Sequence, residues 1–567
     1  MKISGVRIHN FRSIKDQSFT LKDFSLLVGA NNCGKSNIID AIRLFYGKNV
    51  KFVTENDFPK FDTTDKNSWV EMEFKLTDHE YKTLDDNYKQ PGNKLKLRRC
   101  FFENGEVKSD SQSNIYGYKK DELSKDLFYG WKNVAQAKLG NIIYVPATSE
   151  VNDYTKLTGP SPFRDLLDFV MTNIETSDAF QSFLSSCNHF MENLHSGQLP
   201  QGFSVMDLEN LITSELEDWQ FRFNIGISEL KPKDIIKMMF CPSLTDEYLE
   251  NKPVDMNYVG QGLQRHLIYA LIKASITLPK PQEDPIKNHQ FSPDLTLILF
   301  EEPEAFLHPL QQETLNRNLC QLAQEENQQV LISTHSPHFV SKNINKLESI
   351  IKLNKQSGET LLKQIDEPVM NEIIEGNTDF KKIVDKRNTN GSNQNSAIDE
   401  DDEEREKILY MLYLDPDRAC SFFADNVLIC EGITEKAFID YLFEQGKISF
   451  KEKANIINAG GKYQIPRFMD LFQALGIEFA VLFDGDNDKK NHEAINNYIE
   501  EQCHKNGVPV HKFSKDLEDF LGVERVSNKK DYLKPLNLLW KYEHNCIDEK
   551  KVRDFISLVE SLVALPK

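Results

Sequence analysis

No stretch of the 567-residue chain approaches the ~18 consecutive apolar residues of a membrane span, and the longest strongly apolar run is Leu295–Phe300. The opening segment, MKISGVRIHNFRSIKDQ, has no uninterrupted apolar core, so no secretory signal is expected there. The nine cysteines are odd in number and scattered, with no CxxC pair. That excludes a disulfide framework and a zinc ribbon, and predicts a reducing, cytoplasmic setting. A surplus of positive charge is also lacking: 68 Lys and Arg stand against 87 Asp and Glu, a net charge of −19. A protein that coats nucleic acid through its overall charge is thereby excluded, whereas a local basic groove or a metal site is not. Repeats at solenoid periods and sustained heptads are missing too.

What the chain does contain is alternation. With 40% hydrophobic and 27% charged residues it lies in the globular range, and its length predicts three or four modules. Short apolar runs at Ile3–Ile8, Leu26–Val28, Ile142–Val145, Leu295–Phe300, Val330–Ser333 and Ile350–Leu353 alternate with helical patterns and predict α/β layers. The first ~80 residues also read as antiparallel ribbon. Within about 160–230 the period becomes helical: Phe163, Leu166, Leu167, Val170 and Ile174 share one stripe, and Leu208, Leu211, Ile212 and Leu216 another. A helical insertion, serving as a bundle or a dimer face, is expected there. The tract 386–408 is rich in Asn, Ser and Gly and runs into acids, so it reads as a linker. Alternation resumes at Val427–Ile429, Phe479–Phe483 and Val508–Phe513. The expected division is an N-terminal module over 1–385, the linker, and a smaller α/β module over 409–567.

Gly29 to Ser36, GANNCGKS, has the spacing of a phosphate-binding loop. It follows the apolar Ser25–Val28 and opens a helix in which Ile38, Ile39, Ile42 and Phe45 recur at helical spacing. Backbone N–H groups of the loop, Asn31 and Gly34 among them, and the helix N-terminus would cradle ATP phosphates. Lys35 would neutralise the β/γ oxygens and Ser36 would ligate Mg²⁺. Far downstream, LTLILFEEPE ends an apolar strand in carboxylates. Glu301 is placed to hold Mg²⁺ and Glu302 to polarise the water attacking the γ-phosphate. The segment LISTHSP ends another strand, bringing His335 toward the same phosphate. Before them, VGQGLQR carries Gly260 and Gly262 at a helix start, a pair that could offer N–H groups to the γ-phosphate of a partner subunit, although the usual serine of such a signature is absent.

The C-terminal module supplies a second acidic set. VLICEGITE is an apolar strand, a Glu431-Gly432 turn and a helix carrying Glu435, and FAVLFDGDND ends in Asp484, Asp486 and Asp488. Carboxylates converging at one sheet edge repel one another unless cations bind between them, and all-oxygen ligation points to Mg²⁺ or Mn²⁺. A calcium loop fails, because Lys489 and Ile495 stand where it needs Gly and Glu. Glu518, in DLEDF, is a further candidate ligand, and Lys534 the basic residue expected beside a scissile phosphate.

In this order the motifs resemble the OLD (overcoming lysogenization defect) family of ATPase–Toprim nucleases, which includes Gabija-type and retron-associated defence nucleases. The carriers are GANNCGKS, VGQGLQR, LILFEEPEAFLHP, STHSP, LICEGITE, LFDGDND and DLEDF, spread over nearly the whole chain. The resemblance implies an ABC-type P-loop ATPase with a helical dimerisation insertion, followed by a Toprim domain that cuts DNA with divalent metals in anti-phage defence. It makes Glu431, Asp484 and Asp486 the Toprim acids, with Glu435 and Glu518 completing a second metal site. It also implies a homodimer or larger homo-oligomer, and an operon partner in some relatives: a helicase, or a reverse transcriptase with its RNA and DNA product. The competing class is a non-nucleolytic, RecF-like DNA-clamping ATPase whose Toprim domain is regulatory. A topoisomerase or primase would need a strand-passage tyrosine or a template-binding module, and neither is seen.

Overall fold

A computed structural model of the chain describes 1–47, 50–103, 106–108, 114–119, 122–129, 139–148, 291, 293–385, 410, 412–450, 453–486, 492–526 and 532–564; between 150 and 277 it describes chiefly 150–156, 205–225, 242–250 and 252–277. The expected linker 386–408, with Val170, Ile174, Asp488 and Lys489, lies outside the described residues. The chain forms two compact units, one of Met1–Ala147 with Ile286–Lys567 and one of Thr148–Pro285.

The strands in chain order are β1 Lys2–Phe11, β2 Ile14–Thr20, β3 Phe24–Val28, β4 Ser68–Lys75, β5 Lys94–Glu103, β6 Glu106–Val107, β7 Ile115–Lys119, β8 Glu122–Leu127 and β9 Asn141–Val145. In the second unit follow β10 Leu244–Asp246 and β11 Lys252–Val254; in the first, β12 Thr296–Glu301, β13 Gln328–Ser333, β14 Ile350–Gln356, β15 Glu359–Gln364, β16 Asn426–Cys430, β17 Ala454–Asn458, β18 Glu478–Asp484 and β19 Val510–Phe513.

Three sheets organise the larger unit. β2-β1-β4-β5-β7-β8 form an antiparallel sheet, with β6 paired to β5. The second sheet has the order β15-β14-β3-β13-β12-β9, parallel except for its β14–β15 hairpin. β3 and β13 are buried along their whole lengths, as central parallel strands covered on both faces should be. The helix Lys35–Tyr46 follows β3, and Ile38, Ile39, Ile42 and Phe45 are all fully buried in a core shared with Phe74 of the antiparallel sheet. Four such side chains at ~1.5–3 kcal/mol each are what fix this helix against the sheet. The third sheet is parallel throughout, in the order β17-β16-β18-β19.

The smaller unit is wider than the insertion expected at about 160–230. Its helix Val205–Ser214 has no buried residue, Leu208 and Leu211 being 38% and 60% exposed. Leu216 falls on the turn after the helix. Gly260 and Gly262 flank the start of the helix Gln261–Thr277, where Gly260 accepts from the N–H groups of Leu263 and Gln264. No helix among the described residues is long and apolar enough to cross a membrane.

Candidate functional site

Parallel pairing brings the carboxyl ends of β3, β13 and β12 to one edge, with Leu27 beside Ser333 and Ser333 beside Glu301. The loop Gly29 to Gly34 rises there. Gly34 has φ 107°, a conformation closed to most side chains, and a Cβ would collide with Thr360. Thr360 in turn donates to the Cys33 carbonyl at 2.8 Å, so β15 pins the loop. Lys35 is buried, its Nζ donating to the Gly29 and Ala30 carbonyls at 2.9 and 3.0 Å. Burial lowers its pKa, and the nearby Cys33, Glu302 and Glu304 oppose that shift. Asn31 and Ser36 are exposed on the same loop and helix start.

Glu301 accepts from the Tyr144 hydroxyl at 3.0 Å. Glu302 sits at φ 43°, held by its own N–H to the Ser333 carbonyl at 2.8 Å, and its carboxylate lies 3.6 Å from His335 Nε2. A non-glycine residue held in the left-handed region is the kind of local strain that functional sites retain. Burial and then Lys35 push the His335 ring down to about 4, so at neutral pH it is an uncharged imidazole. Lys35, Glu301, Glu302 and His335 therefore share one sheet edge. Two contributors went unnoticed in the sequence: Tyr144, and Glu304, whose Oε1 accepts the His335 backbone N–H at 2.6 Å and orients that residue.

The same larger unit carries the second acidic set. β16 and β18 are neighbours, so Glu431 and Asp484 leave adjacent strand ends, and Glu431 Oε2 accepts the Asp484 N–H at 3.1 Å. Glu435 begins the next helix, where its Oε2 accepts the Gly432 N–H at 3.0 Å and closes a capping box. Glu518, on Leu517–Leu521, is buried, and among the described residues its Oε1 has no hydrogen-bond partner; nor has Asp484 Oδ1. Burial, followed by repulsion from Glu435, Glu431, Glu518 and Asp486, pushes the Asp484 carboxyl up to about 9. Burial, then Glu431 and Glu518, pushes Glu435 up to about 7. The other four expected acids thus all act on Asp484.

A cation that the sequence did not single out is in contact with them. Lys534 opens the helix Lys534–Glu543 and is half-buried. The ammonium among the carboxylates belongs to Lys462, 1% exposed, with Nζ 3.3 Å from Asp486 Oδ2 and 3.7 Å from Glu431 Oε2. His492 Nδ1 lies 3.1 Å from the same Asp486 oxygen. No group of three or more His, Cys, Asp or Glu side chains among the described residues is closed into a ready metal cage. Two buried, unpartnered carboxylate oxygens amid raised carboxyls nevertheless fit hard divalent cations, whose ligands are oxygens and whose charge would remove the repulsion.

That electrostatic state has a measurable consequence. An unfolded chain releases these protons near pH 4, whereas the folded protein retains them up to about 7 and 9. Stability contributed by this pair is complete below the unfolded values and falls as pH rises through the folded ones. Thermal melts in EDTA should show Tm decreasing from pH 5.5 to 8.5, with Mn²⁺ raising Tm more at pH 8.5. Equal Mn²⁺ increments at both values would remove the carboxylate cluster as the ion's site.

A P-loop nucleotide site and a carboxylate-edged parallel sheet within one unit define an ATPase fused to an acidic catalytic module, and comparison with known proteins agrees. The chain belongs to the family described as "AAA domain, putative AbiEii toxin, Type IV TA system", whose model matches residues 24–341, and residues 422–486 match "Overcoming lysogenization defect protein-like, TOPRIM domain". It is 25% identical over 518 residues to the Old nuclease of Escherichia phage P2, covering 86% of this chain and 77% of that protein. It is 23% identical to the OLD nuclease of Thermus scotoductus, over 85% and 82% of the two chains. It is 22% identical to Endonuclease GajA of Bacillus cereus, over 86% and 75%.

Proposed function

We propose that this protein is a nucleotide-gated, divalent-metal-dependent DNA endonuclease acting in the cytoplasm in anti-phage defence. The observation that carries the reading is the convergence of Glu431, Glu435, Asp484, Asp486 and Glu518 around buried carboxylate oxygens that have no protein partner. A passive DNA clamp gains nothing from such a cluster, which costs folding energy until cations arrive. The nuclease names of the relatives support the choice. The defence role rests on the family resemblance.

Mg²⁺ or Mn²⁺, when bound, supplies charge neutralisation and water activation at the phosphodiester. Asp484, Asp486, Glu431, Glu435 and Glu518 would hold that charge, with Glu435 and Glu518 buried away from bulk water. Lys534, on its own helix, is the residue proposed to offset charge on the scissile phosphate. In the ATPase, Lys35, Asn31 and Gly34 would bind phosphates, Ser36 and Glu301 would hold Mg²⁺, Glu302 would orient the water, and neutral His335 would donate to the γ-phosphate. Gly260 and Gly262 are assigned to a partner's nucleotide.

Gating is supported by contacts between the nucleotide-binding sheet and the residues ahead of β16. Lys352, on β14 beside the P-loop strand, is buried and donates from Nζ to the Phe422 carbonyl at 2.9 Å. The His335 ring stands 6.1 Å from Phe423. A change at the γ-phosphate sensor therefore presses on the residues just ahead of β16. Plasmid cleavage by purified protein, with and without EDTA, tests the function; metal-independent cutting, or none under any nucleotide condition, would sink it.

Assembly as at least a homodimer is part of the reading, with a further partner such as a helicase or a reverse transcriptase with its nucleic acid. The exposed Leu208 and Leu211 support it, joined by Trp219, 74% exposed, and Phe221, 67% exposed. Changing Leu208, Leu211 and Leu216 to Asp should halve the mass in light scattering or reduce it further, with circular dichroism unchanged. A wild-type protein that is monomeric with and without ATP would refute the dimer.

A further inference from the structure

The five carboxylates are not equivalent, because a single lysine favours one flank. Lys462 follows β17 through the glycine pair Gly460 and Gly461, both at positive φ, and its side chain is 1% exposed. Its ammonium lies 3.3 Å from Asp486 Oδ2 and 3.7 Å from Glu431 Oε2. The Phe483 ring centroid is 5.8 Å away, on the strand that delivers Asp484. His492 Nδ1 adds a second nitrogen, 3.1 Å from the same Asp486 oxygen and 3.5 Å from Lys462 Nζ. Outside the contacts of Lys462, Asp484 Oδ1 and Glu518 Oε1 are buried with no hydrogen-bond partner among the described residues. One flank is already served by a fixed protein cation; on the other, among the described residues, the two buried oxygens accept no hydrogen bond.

We infer that Lys462 is a built-in counter-ion that sets the order in which divalent cations load, keeping the Glu431–Asp486 flank occupied until the Asp484–Glu435–Glu518 flank is filled. The inference rests on the metal-dependent nuclease reading and deepens it. A divalent ion approaching the unpartnered oxygens has carboxyl protons to displace but not the Lys462 ammonium, whose ion pairs are with Asp486 and Glu431. An ion approaching Asp486 meets a positive charge at hydrogen-bond range, and binding there requires the ammonium to move off or tolerate the repulsion. Lys462 thus acts through Asp486 and Glu431 as a positioning residue. Its charge offsets the repulsion between those two carboxylates.

Mn²⁺ is the probe. Calorimetric titration of the full chain, with free Mn²⁺ followed by electron paramagnetic resonance, should show one tight ion and a second roughly tenfold or more weaker. Lys462→Met should tighten the weaker ion by roughly tenfold while leaving the tight one within about twofold, and Lys462→Arg should restore the gap. Asp486→Asn, which spares Lys462 should the Met variant not fold, should lose the weak ion alone. Two equal sites in wild type would overturn the loading order and leave the nuclease reading standing. Loss of both ions in Lys462→Met, with far-ultraviolet circular dichroism intact, would show a lysine that assembles the site, and would also overturn the order. Wild type that binds no Mn²⁺ at all would overturn the nuclease reading and the inference with it.

Discussion

Glu431→Ala and Asp484→Ala should each slow metal-dependent DNA cleavage on the order of 10³-fold, because removing a carboxylate from a shared cation site forfeits several kcal/mol of transition-state stabilisation, and each ~1.4 kcal/mol is tenfold in rate. Plasmid nicking and linearisation measured with Mg²⁺ and with Mn²⁺ would read the loss. The informative companion is Asp484→Asn, which keeps the side chain's shape and removes its charge. Burial and four carboxylate neighbours push Asp484 up to about 9, so in EDTA at pH 8 the aspartate is a net liability to folding. Asp484→Asn should therefore melt higher than wild type without metal, and gain less from Mn²⁺, while failing to cut. Opposite signs on stability and activity are the mark of a site held together for its chemistry. A variant that melts lower in EDTA and still cuts would mean that the carboxylate is structural.

Much of this site was legible in the sequence because its strands are short and carry unbroken apolar runs. β16, β18, β12 and β13 stand out as runs between polar boundaries, and the acids follow them directly, so a parallel sheet places those acids at one edge. The helix after the P-loop was legible for the same reason: its apolar spacing survives as four fully buried side chains. Lys462 was hidden because β17, Ala454–Asn458, has only two buried residues and Asn at positions 455 and 458. Without a visible strand, the following Gly-Gly-Lys reads as a solvated turn. Burial of that lysine depends on carboxylates more than twenty residues away in sequence. The antiparallel sheet was only partly visible, as ribbon near the start. β5, KLKLRRCFFE, alternates charge with apolar residues, and its buried face becomes evident only when β4 and β7 flank it. Tyr144 and Glu304 carry no signal of their own, since each matters through one hydrogen bond to a residue that is distant or across the sheet edge.

The nucleotide site yields the second large effect, in two variants that should separate binding from turnover. Lys35→Ala removes a buried ammonium whose charge-assisted hydrogen bonds to phosphate are worth ~1.5–3 kcal/mol each, so ATP affinity should fall roughly 10- to 150-fold. Hydrolysis should fall with it at any fixed ATP concentration. Glu302→Gln leaves the loop Gly29–Gly34 and Lys35 untouched, and ATP should bind within about threefold of wild type. Its hydrolysis should drop ~10²–10⁴-fold, the usual contribution of a positioned general base. The geometry favours Glu302 over its neighbour, because Glu301 is committed to the Tyr144 hydroxyl, whereas Glu302 faces His335 across 3.6 Å from a backbone fixed at φ 43°. Titration with a fluorescent ATP analogue measures the first quantity and phosphate release the second. Equal hydrolysis by wild type and Glu302→Gln would transfer the role of base to another group at that edge, Glu304 first, since only its Oε1 is engaged by the His335 backbone and its Oε2 has no hydrogen-bond partner among the described residues.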